Sequence, residues 1–367
     1  MDKPVLVTGA TGYVGGRLVP KLLEADYRVR AVSRTLEKLE GRPWADHEMV
    51  ELVEANALDR ESVQQACRGC DAAYYLIHSM NPGSMDFEEA DRRAARNMAR
   101  AAEAEGVNRL IYLGGLGEPD AELSKHLRSR AEVARILSES EVPTTVLRAA
   151  IIIGSGSVSF EILRYLVERL PVMTTPRWVQ TESQPIAIRN VLNYLVGCLE
   201  HPETAGETYD IGGPDTVTYA ELMQTYADVV DLPRRWIIPL PVLTPKLSSF
   251  WVHLVTPVPA SIARPLIGGL RTPALCRDNR IREIIPQELI GVKKAMQLAV
   301  NVVESEDVPS SWSDAGKIPP AEWADESDPE WAGGDLFEDH RTVWVDGDPD
   351  SLWSVIDRIG GENGWYY

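Results

Sequence analysis

Cysteine is scarce. Four in 367 residues cannot staple a chain of this length, so a disulfide framework is excluded and a reducing compartment, the cytoplasm, is expected. Long apolar runs are also lacking: nothing approaches the ~18 residues a membrane-spanning helix needs. Met1-Asp2-Lys3 leads straight into a strand pattern, so no secretory signal is expected. Basic residues are outnumbered, 37 against 55 acidic, for a net charge of −18. A surface that acidic repels phosphate backbones, which excludes nucleic acid as a partner. The deficit is local. Residues 304–350 hold fifteen acidic and two basic side chains, which separates a near-neutral body from an acidic tail.

The length suits two or three domains. Short apolar runs at 4–9, 28–33, 50–55, 72–77, 109–113 and 145–153 read as strands. Helical patterns separate them, at 13–25 with Pro20 inside and at 87–105, where Glu88/Arg92 and Glu89/Arg93 have i,i+4 spacing. Strands alternating with helices predict an α/β fold with a doubly wound parallel sheet, the Rossmann arrangement. Beyond residue 155 the expected elements are helices at 159–170, 190–200 and 219–230, with strands at 185–188 and 208–211. The stretch 233–273 is rich in Pro, Leu, Val and Trp and reads as broken helices. Three uses stand for it: capping a substrate cleft, a homodimer surface, or a peripheral membrane contact. The expected organisation is a nucleotide-binding domain at 1–155 plus 183–215 and a small, mostly helical cleft region at 156–182 plus 216–303. An acidic linker at 304–339 and the start of a truncated α+β domain at 340–367 follow.

Thr8-Gly9-Ala10-Thr11-Gly12-Tyr13-Val14-Gly15 is a GxxGxxG loop between the first strand and first helix. Glycines there let the backbone turn tightly and approach a pyrophosphate at the helix N-terminus. A purely structural glycine turn is the alternative. The end of the second strand selects the nucleotide: a carboxylate there would bind the ribose 2′-OH of NAD(H), but the chain has Ser33-Arg34. A hydroxyl and a guanidinium suit a 2′-phosphate, so NADP(H) is expected over NAD(H), with Arg17 as a further contributor. Asn56 and Ala57 would flank the adenine, and Ile77 and His78 would pass the nicotinamide side.

The TGATGYVGG run, Ser33-Arg34, and Leu147-Arg148 leading to Gly154 resemble the atypical, extended short-chain dehydrogenase/reductase superfamily. Within it the chain is most similar to the NmrA-like, nucleoside-diphosphate-sugar-epimerase-like group. Tyr75-Leu-Ile-His-Ser-Met80, Gln184-Pro-Ile-Ala-Ile-Arg189 and Asp210-Ile-Gly-Gly-Pro214 resemble a bacterial subgroup of NAD(P)-binding oxidoreductases. A START-like domain follows in that subgroup, and the segment from His340 resembles its opening. The resemblance implies NAD(P) binding and names no substrate.

The superfamily's chemistry uses Tyr-x-x-x-Lys and a serine after the fifth strand. Here Gly114-Gly115-Leu116-Gly117 follows that strand, and His126-Leu-Arg-Ser-Arg130 stands where the Tyr/Lys pair belongs. By position His126 replaces the tyrosine as proton donor and Arg130 replaces the lysine as a cofactor or substrate contact. Arginine stays charged and cannot share a proton as lysine does. A helix-surface or ribose-contacting histidine is the plainer reading of His126, and His78, Ser79, Tyr112 and Ser129 are further candidates. Cys67-Arg-Gly-Cys70 has no second pair to complete a metal site, so no metal is expected. Ser155-Gly-Ser157-Val-Ser159 either binds polar substrate atoms or caps the following helix. The leading reading is an NADP(H)-dependent oxidoreductase acting on a small-molecule substrate. The alternatives are a non-catalytic NADP(H)-binding redox sensor, and a lipid- or quinone-handling assembly factor using residues 235–275.

Overall fold

The computed structural model describes residues 3–77, 87–117, 124–240, 255–304, 308–311, 314, 348 and 353. His78, Ser79 and residues 241–254 lie outside them. The chain divides into two units, Met1–Lys317 and Ile318–Tyr367. The second contributes only Asp348 and Trp353 to the described residues, so the expected domain at 340–367 lies almost entirely outside them.

The first unit is built on strands β1 (Val5–Thr8), β2 (Val29–Ser33), β3 (Val50–Glu54), β4 (Ala72–Tyr75), β5 (Arg109–Gly115) and β6 (Thr144–Ala149). Shorter strands follow: β7 (Ile152–Ile153), β8 (Val172–Pro176), β9 (Glu182–Ser183), β10 (Ile186–Ala187), β11 (Thr208–Ile211), β12 (Val217–Thr218) and β13 (Trp236–Leu240). Seven of them form one sheet in the order β11-β6-β5-β4-β1-β2-β3, every pairing parallel. The order reverses beside β1, which opens a crevice at the strands' carboxyl ends.

Both faces are covered, so the inner strands are mostly buried and largely apolar. Helices α1 (Tyr13–Glu24) and α7 (Ile188–Glu200) pack on one face, where Val5, Val7, Leu18, Leu22, Tyr74 and Leu195 are buried together. Helices α3 (Arg60–Cys67), α4 (Phe87–Ala104) and α5 (Lys125–Ser138) cover the other, with Leu6, Ala73, Tyr75, Met98, Leu110 and Leu137. A separate core joins α6 (Val158–Arg169) and α8 (Tyr219–Val229) to residues 255–300.

Several expectations change. Residues 145–153 are two strands, because β6 runs out of β5 partner at Gly115↔Ala149 and the chain turns so that β7 pairs with β10. Trp236–Leu240 is a strand parallel to β8 and not a broken helix. Arg92 pairs with Glu89 at 2.9 Å and with Glu132 of α5 at 3.3 Å, not with Glu88. Pro20 stays inside α1. Its absent N–H leaves the Gly16 carbonyl without a helical donor, and the Trp44 indole donates to that oxygen at 3.3 Å.

Candidate nucleotide site

Each glycine of the first turn has a different reason to be there. Gly9 has φ +72°, and a Cβ on it would meet the Leu76 carbonyl oxygen at 2.8 Å. A Cβ on Gly15 would sit 2.2 Å from the Gly9 carbonyl oxygen, so the helix can close on the loop only with glycine there. Gly12 is different. Its φ of −79° suits any residue, and its one close neighbour would be the Gly9 oxygen at 3.2 Å. The fold makes only a mild demand for glycine at 12, which is what a backbone reserved for a phosphate looks like. Gly12 caps α1 without a side chain, and the first turn has no acidic residue. The amides of Tyr13, Val14 and Gly15 therefore begin a helix whose positive end is uncompensated by any side chain. Thr11 is buried, and its carbonyl accepts from Arg42 at 2.8 Å.

Some side chains read as cofactor contacts are committed elsewhere. The Thr8 hydroxyl donates to the Tyr74 carbonyl at 2.9 Å and accepts from the Leu76 amide at 3.3 Å, tying β1 to β4. The Tyr13 ring turns towards Gly154, where a Cβ would come within 2.3 Å of its hydroxyl. Burial raises that phenol's pKa far above the usual value. Arg17 is no phosphate ligand: it is buried and donates to the Ser155 and Ser310 carbonyl and hydroxyl oxygens. Ser155 is thereby used, and Ser157 caps α6 by accepting from the Phe160 amide at 3.2 Å.

At the carboxyl end of β2, Ser33 is nearly buried and its hydroxyl accepts from the Thr35 amide at 3.4 Å, whereas Arg34 is exposed. Two cations that the sequence reading missed join Arg34: Lys38 of α2 (Glu37–Glu40) and Arg42. Burial, then the Arg34 and Arg42 guanidiniums, lower the Lys38 ammonium's pKa, while Asp314 acts in the opposite sense. Their signal was present as cations four and eight residues beyond Arg34. After the neighbouring strand β3, Asn56 Oδ1 accepts from the Leu58 amide at 3.1 Å, and the Ala57 carbonyl accepts from Asn97 at 2.9 Å. Ile77 lies two residues past β4.

His126 and Arg130 both lie on α5. His126 is buried, and its pKa is pushed down to about 3, first by burial and then by the Arg130 charge. Such an imidazole stays neutral at pH 7. Arg130 Nη1 donates to the Leu113 carbonyl at 2.9 Å, and its own carbonyl accepts from Tyr112 at 3.3 Å, which holds it against the end of β5. Ser129 donates to Asp91 of α4 at 2.7 Å, both buried, and so links helices. Cys67 and Cys70 are buried, their thiols raised by burial to about 12 and about 11. No group of metal-ligating side chains occurs among the described residues.

Residues 9–165 match a family model described as NAD(P)H-binding. These residues lie within the parallel α/β sheet described above, a Rossmann-type fold. The chain is 26% identical over 304 residues to the mitochondrial NADH dehydrogenase (ubiquinone) 1 alpha subcomplex subunit 9 of Arabidopsis thaliana, covering 78% of this chain and 75% of that protein. It is 25% identical to a UDP-glucose 4-epimerase of Vibrio cholerae, over 67% and 81% of the two chains. Among solved structures, Citrobacter sp. triphenylmethane reductase complexed with NADP(H) superposes with a TM-score of 0.63 at 20% identity, over 81% of this chain and 99% of that one. The last likeness speaks for the fold. The chain is thus similar to an NADH dehydrogenase subunit and to an epimerase, and shares its fold with a reductase.

Proposed function

We propose that the chain is an NADP(H)-dependent oxidoreductase of the atypical short-chain class. The observation that carries this reading is the end of β2, where Arg34, Lys38 and Arg42 gather and no carboxylate of that strand or of residues 34–36 offers itself to a ribose 2′-OH. The amides of residues 13–15 would hold the pyrophosphate, and the three cations the 2′-phosphate. Asn56 and Ala57 would flank the adenine, and Ile77 and His78 the nicotinamide. Bound NADPH would supply a hydride to a carbonyl or enone-like substrate, and NADP⁺ would take one from the corresponding alcohol or saturated product. Arg130 sits where it can orient a polar substrate atom, and the neutral His126 leaves the proton to solvent. The separate core of α6, α8 and residues 255–300 supports assigning the substrate cleft there. The Pro349-Asp-Ser-Leu-Trp353 run is the support for a START-like domain opening near His340.

The shortage of an acid at the nicotinamide end favours a second reading, an NADP(H)-binding redox sensor without turnover. Calorimetric titration with NADPH, NADP⁺ and NADH tests the shared premise. NADPH is expected to bind at least tenfold tighter than NADH, about 1.4 kcal/mol, and Lys38→Ala to remove that margin. Substrate-dependent loss of NADPH absorbance then distinguishes the enzyme from the sensor. Failure of all three nucleotides to bind sinks both.

A further inference from the structure

The stretch read as a free acidic linker does not begin as one. Ser310 is buried, with 2% of its surface exposed. Its hydroxyl donates to the Tyr13 carbonyl at 2.8 Å and meets the Arg17 guanidinium, which also takes the Ser310 carbonyl at 2.6 Å. Two glycines of the body make room for it. A Cβ on Gly16 would come within 3.2 Å of the Ser310 Cβ, and one on Gly156, at φ +76°, within 2.5 Å of the Ser310 carbonyl oxygen. Such a seat is shaped for this segment.

Four residues further on, the chain places a carboxylate among the cations at the end of β2. Asp314 Oδ2 lies 3.0 Å from Arg42 Nη1, and the Asp314 carbonyl accepts from Lys38 Nζ at 3.5 Å. The same Oδ2 accepts from the Ser311 amide at 2.8 Å, so the acid is held in its own turn and is not swinging free. Arg42 in turn donates to Thr11 in the glycine loop, so one guanidinium joins Asp314 to the nucleotide loop.

We propose that residues 308–311 together with Asp314 act as a strap that tunes nucleotide preference, with Asp314 standing on Arg42 and Lys38 where a 2′-phosphate would otherwise stand. The inference rests on the NADP(H) reading above. The physical reason for competition is charge. A phosphate monoester carries about −1.5 to −2 at pH 7 and needs the donors that Asp314 occupies, and the fixed carboxylate repels it as well. A ribose 2′-OH carries no charge and is little affected. Strap docking and NADP(H) binding therefore oppose each other, while NAD(H) binding does not sense the strap.

The test is a double-mutant cycle read by calorimetry on the full chain. Asp314→Asn keeps the size of the side chain and removes its charge. It is expected to tighten NADPH binding about tenfold and to change NADH binding less than twofold. In an Arg42→Gln background, where the contested cation is gone, the gain from Asp314→Asn is expected to fall below threefold. Amide hydrogen exchange provides an independent reading: saturating NADPH, but not NADH, is expected to deprotect the amides of Ser310 and Asp314 in the wild type. If both nucleotides bind and Asp314→Asn moves them equally or not at all, the strap is overturned and the cofactor reading survives. If neither nucleotide binds wild type or variant, the cofactor reading fails and the strap falls with it.

Discussion

Replacing Gly12 and Gly15 separately by alanine distinguishes a nucleotide site from a glycine turn kept for folding alone. At Gly15 the added methyl would lie 2.2 Å from the Gly9 carbonyl oxygen, 2.8 Å from the Gly9 carbonyl carbon and 3.0 Å from the Ala10 Cα. All three are backbone, so α1 must lift from the loop, an overpacking that costs about 1–3 kcal/mol. At about 2–4 °C per kcal/mol for a unit of this size, Gly15→Ala is expected to lower Tm by roughly 2–12 °C. Gly12→Ala meets one oxygen at 3.2 Å at an ordinary φ. Its cost is about 1 kcal/mol or less, of the order of an unfavourable N-cap exchange. The methyl would stand on the open side of the loop, against the pyrophosphate's path. Displacing a bound group by about 1 Å can cost a factor of about 100, or about 2.7 kcal/mol. The measurement is a pair of melting curves and NADPH titrations. Gly12→Ala should lose far more binding than stability, whereas Gly15→Ala should lose both. An affinity for NADPH within threefold of wild type in Gly12→Ala would refute the reasoning, because nothing would then require the loop to stay bare there.

Two further predictions concern the folded state. His126 has its pKa lowered from 6.5 to about 3 in the fold, so the unfolded chain binds the extra proton between those values. Its contribution to stability is therefore complete above pH 6.5 and is lost as pH falls towards 3, with a slope of up to about 1.4 kcal/mol per pH unit. Denaturant titrations between pH 7 and 4 should show a shallower slope for His126→Gln than for wild type; identical slopes would mean the imidazole is not held neutral. Trp44→Phe removes the indole donor from the Gly16 carbonyl and should cost about 1–3 kcal/mol. Adding Pro20→Ala returns a backbone donor to that oxygen, so the double variant should recover part of the loss, and strict additivity would contradict the pairing.

The sheet was legible because its signals are local. β1 is a buried apolar run ending at the glycine turn, and each following strand is set off by a helical period. Residues such as Leu18 and Leu22 then fall on the inner face of α1 without tertiary information. Register and termination were less accessible. Whether residues 145–153 make one strand or two depends on where the β5 partner ends, and whether Trp236–Leu240 is extended depends on β8 being beside it. The glycine loop was readable as a tight turn into α1. The use of each side chain within it was not: Thr8 and Arg17 have the right chemistry for a nucleotide, yet the fold spends one on Tyr74 and the other on Ser155 and Ser310.

The strap shows why composition misleads at close range. Residues 304–350 are acidic on average, and an average of that kind argues for a solvated tether because repulsion and low hydrophobicity defeat packing. Asp314 escapes the argument because Arg17, Lys38 and Arg42 face it from elements more than 270 residues earlier in sequence. An acid's local context says nothing about a cation cluster that α1, α2 and the residues after it assemble in space. The reverse also holds. From the residues flanking β2, Lys38 and Arg42 look like solvated surface charges, since i,i+4 spacing across the Gly41 break has no periodic meaning. Each half of the pair is uninformative alone, and only the docking of Ser310 under Gly16 and Gly156 fixes the register that brings them together. If the strap acts as proposed, the margin by which Arg34, Lys38 and Arg42 favour a 2′-phosphate depends on this long-range pairing as well as on the β2 terminus.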